Sequence, residues 1–174
     1  MPKQQNDEQT AADEQGDDAK LTKRSKRANT LGPTGNTVRR NLITWRVRRD
    51  FTQTQLAERV SAQGRPMTRQ ALGDIELGRR RVDADDLVAL AIALDITPGA
   101  LLMPETRRRL QEVRPTNETT VDAATLWYWL SNKTPLTNVE VAPEDVVDFQ
   151  EDVQPIWVAF RALDEEDDGP PDAE

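Results

Sequence analysis

The fold of this 174-residue chain is decided by two stretches, Phe51-Thr-Gln-Thr-Gln-Leu-Ala57 and Thr68-Arg-Gln-Ala-Leu-Gly-Asp-Ile-Glu-Leu-Gly78. Each contains a threonine that can cap a helix, Thr52 in the first and Thr68 in the second, followed by apolar residues at helical spacing. Gly78 can end the second helix, because glycine readily adopts the left-handed conformation found after many helix ends. The two stretches therefore predict two short, capped helices in succession.

Three further helices are predicted on either side of this pair. Asn36 or Thr37 can cap a helix before it. After it, Asp83 can cap a fourth helix, and Thr97, which a proline follows, can open a short fifth one. Because the segment 35–104 has no strand pattern, we expect a compact all-α domain of five helices.

Two capped helices joined by a turn, with arginines outside and small apolar residues inside, are typical of a helix-turn-helix. With Trp45-Arg46 before them, the two quoted stretches resemble the Cro and cI phage-repressor family, also called the xenobiotic-response-element (XRE) type, and the resemblance covers about 70 of the 174 residues. It implies a lambda-repressor-like domain that binds double-stranded DNA. The third helix, about residues 68–77, would lie in the major groove.

The resemblance also implies which residues read bases. Arg69 and Gln70 stand where that family reads base edges, and Asp74 follows one turn later on the same face. Arginine can pair bidentately with guanine and glutamine with adenine. Asp74 is expected either to accept a hydrogen bond from cytosine or to hold Arg69 or Gln70 in place.

Phosphate contacts are expected at helix N-termini, which attract anions, and on arginines near the recognition helix. Gln53 matches the family's glutamine at the start of helix 2. The residues that we predict to bind phosphate are Gln53, Thr52, Thr68, Arg65, Arg79, Arg80, Arg81 and Arg48. The alternative is that some of these arginines only solvate a small domain.

Two further features concern the scaffold. Arg46 and Glu76 match a partly buried salt bridge of the family and are assigned structural roles. The usual turn between helices 2 and 3 is tight, whereas residues 61–67 intervene here. This longer connection changes the expected docking angle and can bring Arg65 to the DNA backbone.

The charge of the chain is unevenly divided. The total is −8, but residues 1–34 are neutral, residues 35–114 carry fifteen arginines against ten acids, and residues 115–174 have a net charge of −13. A basic domain followed by an acidic segment fits a DNA partner, although an acidic total argues against one. The acidic excess either keeps the protein soluble or competes with DNA for the basic face.

These patterns divide the chain into four segments. Residues 1–34 are predicted to be a disordered arm, in which the basic cluster 20–27 is either solvated or touches phosphates. The helix-turn-helix domain follows at 35–104. A partly helical, acidic extension occupies 105–163, and an acidic tail at 164–174 is predicted to be disordered.

Within the extension, helices are predicted at 106–113, 122–130 and 143–153. The extension resembles those of actinobacterial members of the family. The aromatic stretch 126–130 either packs into a small satellite core or anchors a partner. Residues 122–163 are therefore a possible protein-binding segment.

Several function classes are excluded. The chain has no histidine and no cysteine, which removes disulfides, Cys/His zinc sites and imidazole catalysis. A self-cleaving Ser–Lys dyad is rejected, because Ser131 and Lys133 are two residues apart and do not face each other on a helix. The carboxylates of Asp85 and Asp86 are expected to complement a helix dipole.

We therefore expect a cytoplasmic, repressor-like regulator that is not an enzyme and needs no cofactor. It is expected to bind double-stranded DNA as a homodimer on a palindromic site. No stretch is apolar enough to span a membrane or to serve as a signal peptide. The alternative is an antitoxin-like interaction protein whose C-terminal segment binds another protein.

Overall fold

The computed structural model describes residues 30–137 and 139–155. The described part contains seven helices and one antiparallel pair of two-residue strands: α1 Pro33–Arg48, α2 Gln53–Ala62, α3 Arg69–Glu76, α4 Ala84–Leu94, α5 Pro98–Leu102, β1 Glu112–Val113, β2 Val121–Asp122, α6 Ala123–Leu130 and α7 Pro143–Val153. The all-α prediction is confirmed, with this short β-ladder as an addition. The predicted acidic tail and most of the N-terminal arm lie outside the described residues.

Helices α2 to α5 begin where the capping residues predict. The side chains of Thr52, Thr68, Asp83 and Thr97 each accept a hydrogen bond from the backbone amide three residues later. Thr52 also forms a capping box, because Gln55 Oε1 accepts from the Thr52 amide. Each cap satisfies one of the first-turn amides that have no partner within the helix.

The start of α1 differs from the prediction. The helix begins at Pro33, with Gly32 as its N-cap and no capping side chain, so the prediction of Asn36 or Thr37 was wrong. Proline suits the first turn because its missing N–H would have no helical partner there. The Asn36 side chain instead donates back to the Gly32 carbonyl at 3.2 Å, and Thr37 is buried in the helix interior.

One apolar core joins the five N-terminal helices. Its fully buried large side chains are Leu42, Leu56, Val60, Leu72, Ile75, Leu90, Leu94 and Leu101. Helix α1 packs against α5 and α3, and α2 packs against both α3 and α4. The core therefore fixes α3 against α2 and leaves the N-terminal turn of α3 at the surface.

Helix α3 ends as the sequence predicts. Gly78 has a φ of +75°, its amide donates to the Ile75 carbonyl at 2.9 Å, and the Arg79 amide donates to the Asp74 carbonyl at 2.8 Å. This pair of bonds is a Schellman motif, which satisfies carbonyls that the helix end leaves free. It turns the chain sharply, so that the three arginines after Gly78 lie in a loop beside the end of α3.

The extension contains less helix than predicted. Residues 106–113 form no helix; β1 pairs with β2 in the register Glu112–Asp122 and Val113–Val121. The physical reason is that the segment has only two apolar residues, Leu110 and Val113, and pairing with β2 buries Val113 while Leu110 stays exposed. The other two helices of the extension are confirmed as α6 and α7.

A second, smaller apolar cluster holds the extension together. Its buried members are Val113, Val121, Ala123 and Leu126. Met103, at the end of the five-helix domain, packs against this cluster.

Helix α7 buries none of its residues, and Gln150 Nε2 in this helix donates a hydrogen bond of 2.7 Å to the Lys133 carbonyl. Among the described residues, no helix has both the length and the apolar composition that a bilayer crossing needs.

Candidate nucleic-acid interface

A buried carboxylate joins the first three helices. The Glu76 carboxylate, at the end of α3, accepts from Arg46 Nε at 2.5 Å, from Arg46 Nη2 at 3.2 Å and from Gln53 Nε2 at 2.7 Å. Arg46 Nη1 also donates to the Phe51 carbonyl at 2.9 Å. The Arg46 and Glu76 side chains are only 16% and 8% exposed. The structure therefore has an ion pair at the predicted position, and Gln53 is part of the same network.

The first turn of α3 is the exposed part of that helix. Thr68 Oγ1 accepts from the Ala71 amide at 3.0 Å, whereas Arg69 and Gln70 project from the surface. Within the described part of the chain, the Arg69 guanidinium has no hydrogen bond and no ion pair. Helix α3 thus presents one unpaired cation and one amide beside each other.

Arg69 and Gln70 border a shallow depression of about 360 Å³. Its other walls are Ile43 of α1, Gln53 of α2, and Gly73 and Asp74 of α3. A methyl group at Gly73 would lie 3.7 Å from Gln53 Oε1, an ordinary contact distance. The N-termini of α2 and α3 therefore approach each other around one open surface.

Asp74 does not hold Arg69 or Gln70. Its carboxylate lies 3.9 Å from Arg79 Nη1, and the Arg79 side chain is 72% exposed. This contact is long and solvated, so it leaves both groups accessible. Asp74 and Arg79 therefore form a loose pair at the edge of the surface of α3.

The N-terminus of α2 lies beside that surface. The Thr52 hydroxyl caps the Gln55 amide at 3.2 Å, while the amides of Gln53 and Thr54 precede the capped one. Free amides in a first turn, together with the helix dipole, favour an anion. The Gln53 side chain is bound to Glu76, so its backbone amide is the group best placed for a phosphate.

Arg65 and Arg80 are held by carboxylates. Arg65 Nε donates to Asp86 Oδ1 at 2.8 Å, and Arg80 Nη2 donates to Asp86 Oδ2 at 2.7 Å. Arg65 Nη2 also donates to Asp83 Oδ2 at 2.5 Å. The hydrogen bond and charge of Asp86 raise the pKa of Arg65 above its ordinary value. We name the group Arg65, Arg80, Asp83 and Asp86 the carboxylate clamp.

The carboxylate clamp fixes the long connection between α2 and α3. Asp86 is fully buried at the start of α4, and Arg65 lies in the middle of the connection. Ser61 Oγ accepts from the Met67 amide at 3.0 Å, and Met67 is buried in the core. The connection is therefore anchored at both ends and in its middle.

The remaining predicted arginines have other neighbours. Arg81 Nη2 donates to the Thr30 carbonyl at 2.6 Å. Arg48, at the end of α1, lies over the Trp45 ring at 5.2 Å and 3.8 Å from Glu105. Arg81 thus lies where the N-terminal arm joins the domain, and Arg48 lies near the extension.

Sequence reasoning missed the role of Asp86. It assigned Asp86 only to the helix dipole, whereas the side chain binds two arginines that precede it by 21 and 6 residues. One signal was available, because Asp83 and Asp86 have the three-residue spacing of a capping pair. That spacing indicates an ordered acid at the third position, although it does not reveal the arginines.

The family comparison agrees with this geometry. Residues 42–101 match the family model described as Helix-turn-helix, of the XRE or Cro/cI type. The matched segment runs from the second half of α1 through most of α5, and the predicted resemblance is confirmed for it. The family supports a DNA-binding function of the transcription-regulator type. Comparisons with curated proteins and with solved structures gave no match.

Proposed function

We propose that this chain, whose residues 42–101 form a helix-turn-helix domain of the XRE or Cro/cI type, is a sequence-specific, repressor-like transcriptional regulator. Helix α3 enters the major groove, and two copies of the chain bind a palindromic site. The protein acts where its DNA is, in the cytoplasm, and needs neither a cofactor nor catalysis. The observation that carries this proposal is the unpaired, exposed Arg69 beside Gln70 on the first turn of α3.

Base reading is assigned to Arg69 and Gln70, with Asp74 at the edge of the same surface. The exposed first turn fits base readout, because the N-terminal residues of a recognition helix meet the base edges. Glu76 keeps the exposed turn in position, since its bonds to Arg46 and Gln53 hold α3 against α1 and α2. Asp74 accepts from cytosine after its loose contact with Arg79 is released.

Phosphate binding is assigned to the groups that are free for it. These are the amides of Gln53 and Thr54, which follow the capping Thr52 in α2, the start of α3 at Thr68, and the exposed Arg79. Arg81 contributes beside the arm, and Arg48 contributes at most weakly because it lies near Glu105. We assign Arg65 and Arg80 to the carboxylate clamp, since Asp86 already binds both guanidinium groups.

The test is selection of bound sequences from a random DNA pool by the full-length protein. An enriched palindrome is expected, and Arg69→Ala should relax one position of each half-site at a cost of about 1–3 kcal/mol. Arg79→Gln should lower the affinity for all DNA sequences. It should also reduce the slope of the logarithm of the binding constant against the logarithm of the salt concentration by about 0.9. Arg107→Gln, which removes a charge outside the α3 surface, is the control and should leave the preferred sequence unchanged.

A second function is supported by α6. Trp127 and Trp129 remain 51% and 38% exposed in the described structure, and exposed aromatics are typical of protein-binding surfaces. The alternative is therefore an antitoxin-like regulator that binds a protein through residues 122–163. Absence of any enriched sequence, with a residual DNA affinity that salt does not change, would favour this alternative over the regulator.

A further inference from the structure

A long groove runs between α1 and the segment 104–114, on a part of the surface that the proposed function does not use. Its volume is about 970 Å³, and its walls carry five arginines and two glutamates. The arginines are Arg39, Arg40, Arg107, Arg108 and Arg114, and the glutamates are Glu105 and Glu112. We name this feature the basic groove.

Most of the positive charge in the basic groove lacks a partner. Within residues 30–137 and 139–155, the guanidinium groups of Arg40, Arg107 and Arg108 have neither a hydrogen bond nor an ion pair. Arg114 approaches Glu112 only at 3.9 Å, with both side chains exposed. The groove thus contains several unneutralised cations in a confined space, which attracts a multiply charged anion.

The two glutamates neutralise only part of the positive charge of the groove. Glu105 is directed to Arg48 outside the groove, at 3.8 Å, and Glu112 has Arg114 beside it. Arg39 is the only arginine of the five with a close bond, since its Nη1 donates to the Glu76 carbonyl at 3.1 Å in the described structure. A ligand with several carboxylates would therefore supply the negative charges that the groove arginines lack.

We propose that the basic groove binds an acidic peptide, and that its occupant is the chain's own Asp-Glu-Glu-Asp-Asp segment at residues 164–168. This segment carries five consecutive carboxylates and complements the groove in charge. The last described residue is Pro155, and the nine residues from there to Asp164 can span about 30 Å when extended. That reach is comparable with the diameter of a domain of this size.

The position of the groove favours a peptide over the DNA that α3 reads. Arg40 and Thr44, which line the groove, are one turn apart on α1, whereas Arg46 faces α3 from another side of the helix. The groove and the depression at the first turn of α3 share no lining residue, and the groove residue Arg39 contacts α3 only at its last residue, through the bond to the Glu76 carbonyl. A peptide can enter between its two walls, whereas the proposed base readout uses the first turn of α3.

The experiment uses full-length chains and a fluorescent peptide of residues 162–174. The first variant neutralises the tail, with Asp164→Asn, Glu165→Gln, Glu166→Gln, Asp167→Asn and Asp168→Asn. In this background, Arg107→Gln with Arg108→Gln removes two groove charges. The matched control is Arg69→Gln with Arg79→Gln, which removes two exposed charges from the α3 surface. Binding is measured by fluorescence anisotropy at low and physiological salt, without DNA.

The peptide should bind the tail-neutral chain at low salt and lose affinity as salt rises. It should bind the unaltered chain at least about tenfold more weakly, because a tethered tail competes at an effective concentration in the millimolar range. The groove variant should bind about tenfold more weakly, as expected for the loss of two exposed ion pairs. Arg107→Lys with Arg108→Lys should retain most of the affinity.

Three results would overturn the proposal. One is absence of peptide binding to the tail-neutral chain at low salt. Another is an equal loss of affinity in the α3-surface control, which would place the peptide on the DNA-binding face. The third is equal peptide affinity of the unaltered and tail-neutral chains, which would exclude occupancy by the tail. None of these measurements depends on whether the protein binds DNA, so the two proposals fail separately.

Discussion

The five-helix domain and the extension of this chain are stabilised in different ways. The domain buries a continuous apolar core from α1 to α5. Two sets of charged contacts, around Glu76 and around Asp86, also join its helices and the connections between them. The extension buries four apolar residues, and α7 buries none. The comparison indicates that the domain is a rigid support for one exposed helix turn, while the extension is a smaller unit that leaves tryptophans accessible.

The largest expected effect is on the domain. Glu76→Ala leaves Arg46 buried without its carboxylate and removes the acceptor of Gln53, so it should lower the free energy of unfolding by about 3–5 kcal/mol. Urea denaturation of the full-length chain measures this. An unchanged midpoint would contradict the supporting role assigned to Glu76. It would also remove the contrast between the domain and the extension.

The next effect concerns the extension alone. Leu126→Ala removes the largest fully enclosed side chain of the small cluster and should cost about 2–4 kcal/mol. Hydrogen exchange should then rise in α6 while α1 to α5 stay protected. Leu110→Ala is the control, because Leu110 is 79% exposed and should change stability by less than about 0.5 kcal/mol. Equal loss of protection in both regions would mean that they unfold as one unit.

A smaller effect is expected at the carboxylate clamp. Asp86→Asn removes a buried charge from two arginines that can still reach water, so it should destabilise the domain by about 2 kcal/mol. Asp85→Asn is the matched control, since its side chain is 84% exposed and 4.0 Å from Arg65. Thermal melting compares the two. An equal loss of melting temperature in Asp85→Asn would show that any negative charge near Arg65 stabilises the domain as much as Asp86 does.

The smallest effect is a pH dependence in the extension. Asp122 caps α6, and the bond from the Thr125 amide holds the pKa of its carboxyl below the ordinary value. A lowered pKa stabilises the fold above the pKa of the unfolded chain, near 3.8, and this stabilisation is lost as pH falls through the lower, folded value. Asp122→Asn should remove this dependence and change stability little at neutral pH, because asparagine caps a helix about as well as aspartate.

This last prediction is checked by comparing hydrogen exchange in α6 between pH 5 and pH 3. The unaltered chain should lose protection over this range, and Asp122→Asn should change less. Parallel curves for the two proteins would assign the pH effect to other carboxylates. Arg65 contributes nothing to this comparison, because a raised arginine pKa affects stability only at strongly alkaline pH.

The helices were predictable where their signals are local. Thr52, Thr68 and Asp83 identify helix starts because a cap depends on a residue and the amide three positions later. A search for capping side chains gave the wrong start for α1, because Pro33 begins that helix without a side-chain cap. The helix prediction also failed at 106–113, where arginine-rich sequence favours a helix but only β-pairing buries Val113.

The candidate site was predictable only in part. A pattern can place Arg69 on the outer face of a helix, because the face follows from helical periodicity. It cannot reveal that Arg65 and Arg80 share one carboxylate, because those contacts depend on how α4 packs near the α2–α3 connection. The arginines of this chain look alike in sequence, and their roles differ because their neighbours differ in space.

The anchored connection between α2 and α3 has a practical consequence for engineering the protein. Its tip at Gly64 has a φ of +80°, and nothing lies within 4 Å of the position of an added methyl group. Because Ser61 and Arg65 fix the chain on either side, extra residues inserted next to Gly64 should form an outward bulge and leave the angle between the two helices unchanged. Each doubling of such a loop costs only about 0.6 kcal/mol, so this tip is a suitable place for a spectroscopic label or an affinity tag.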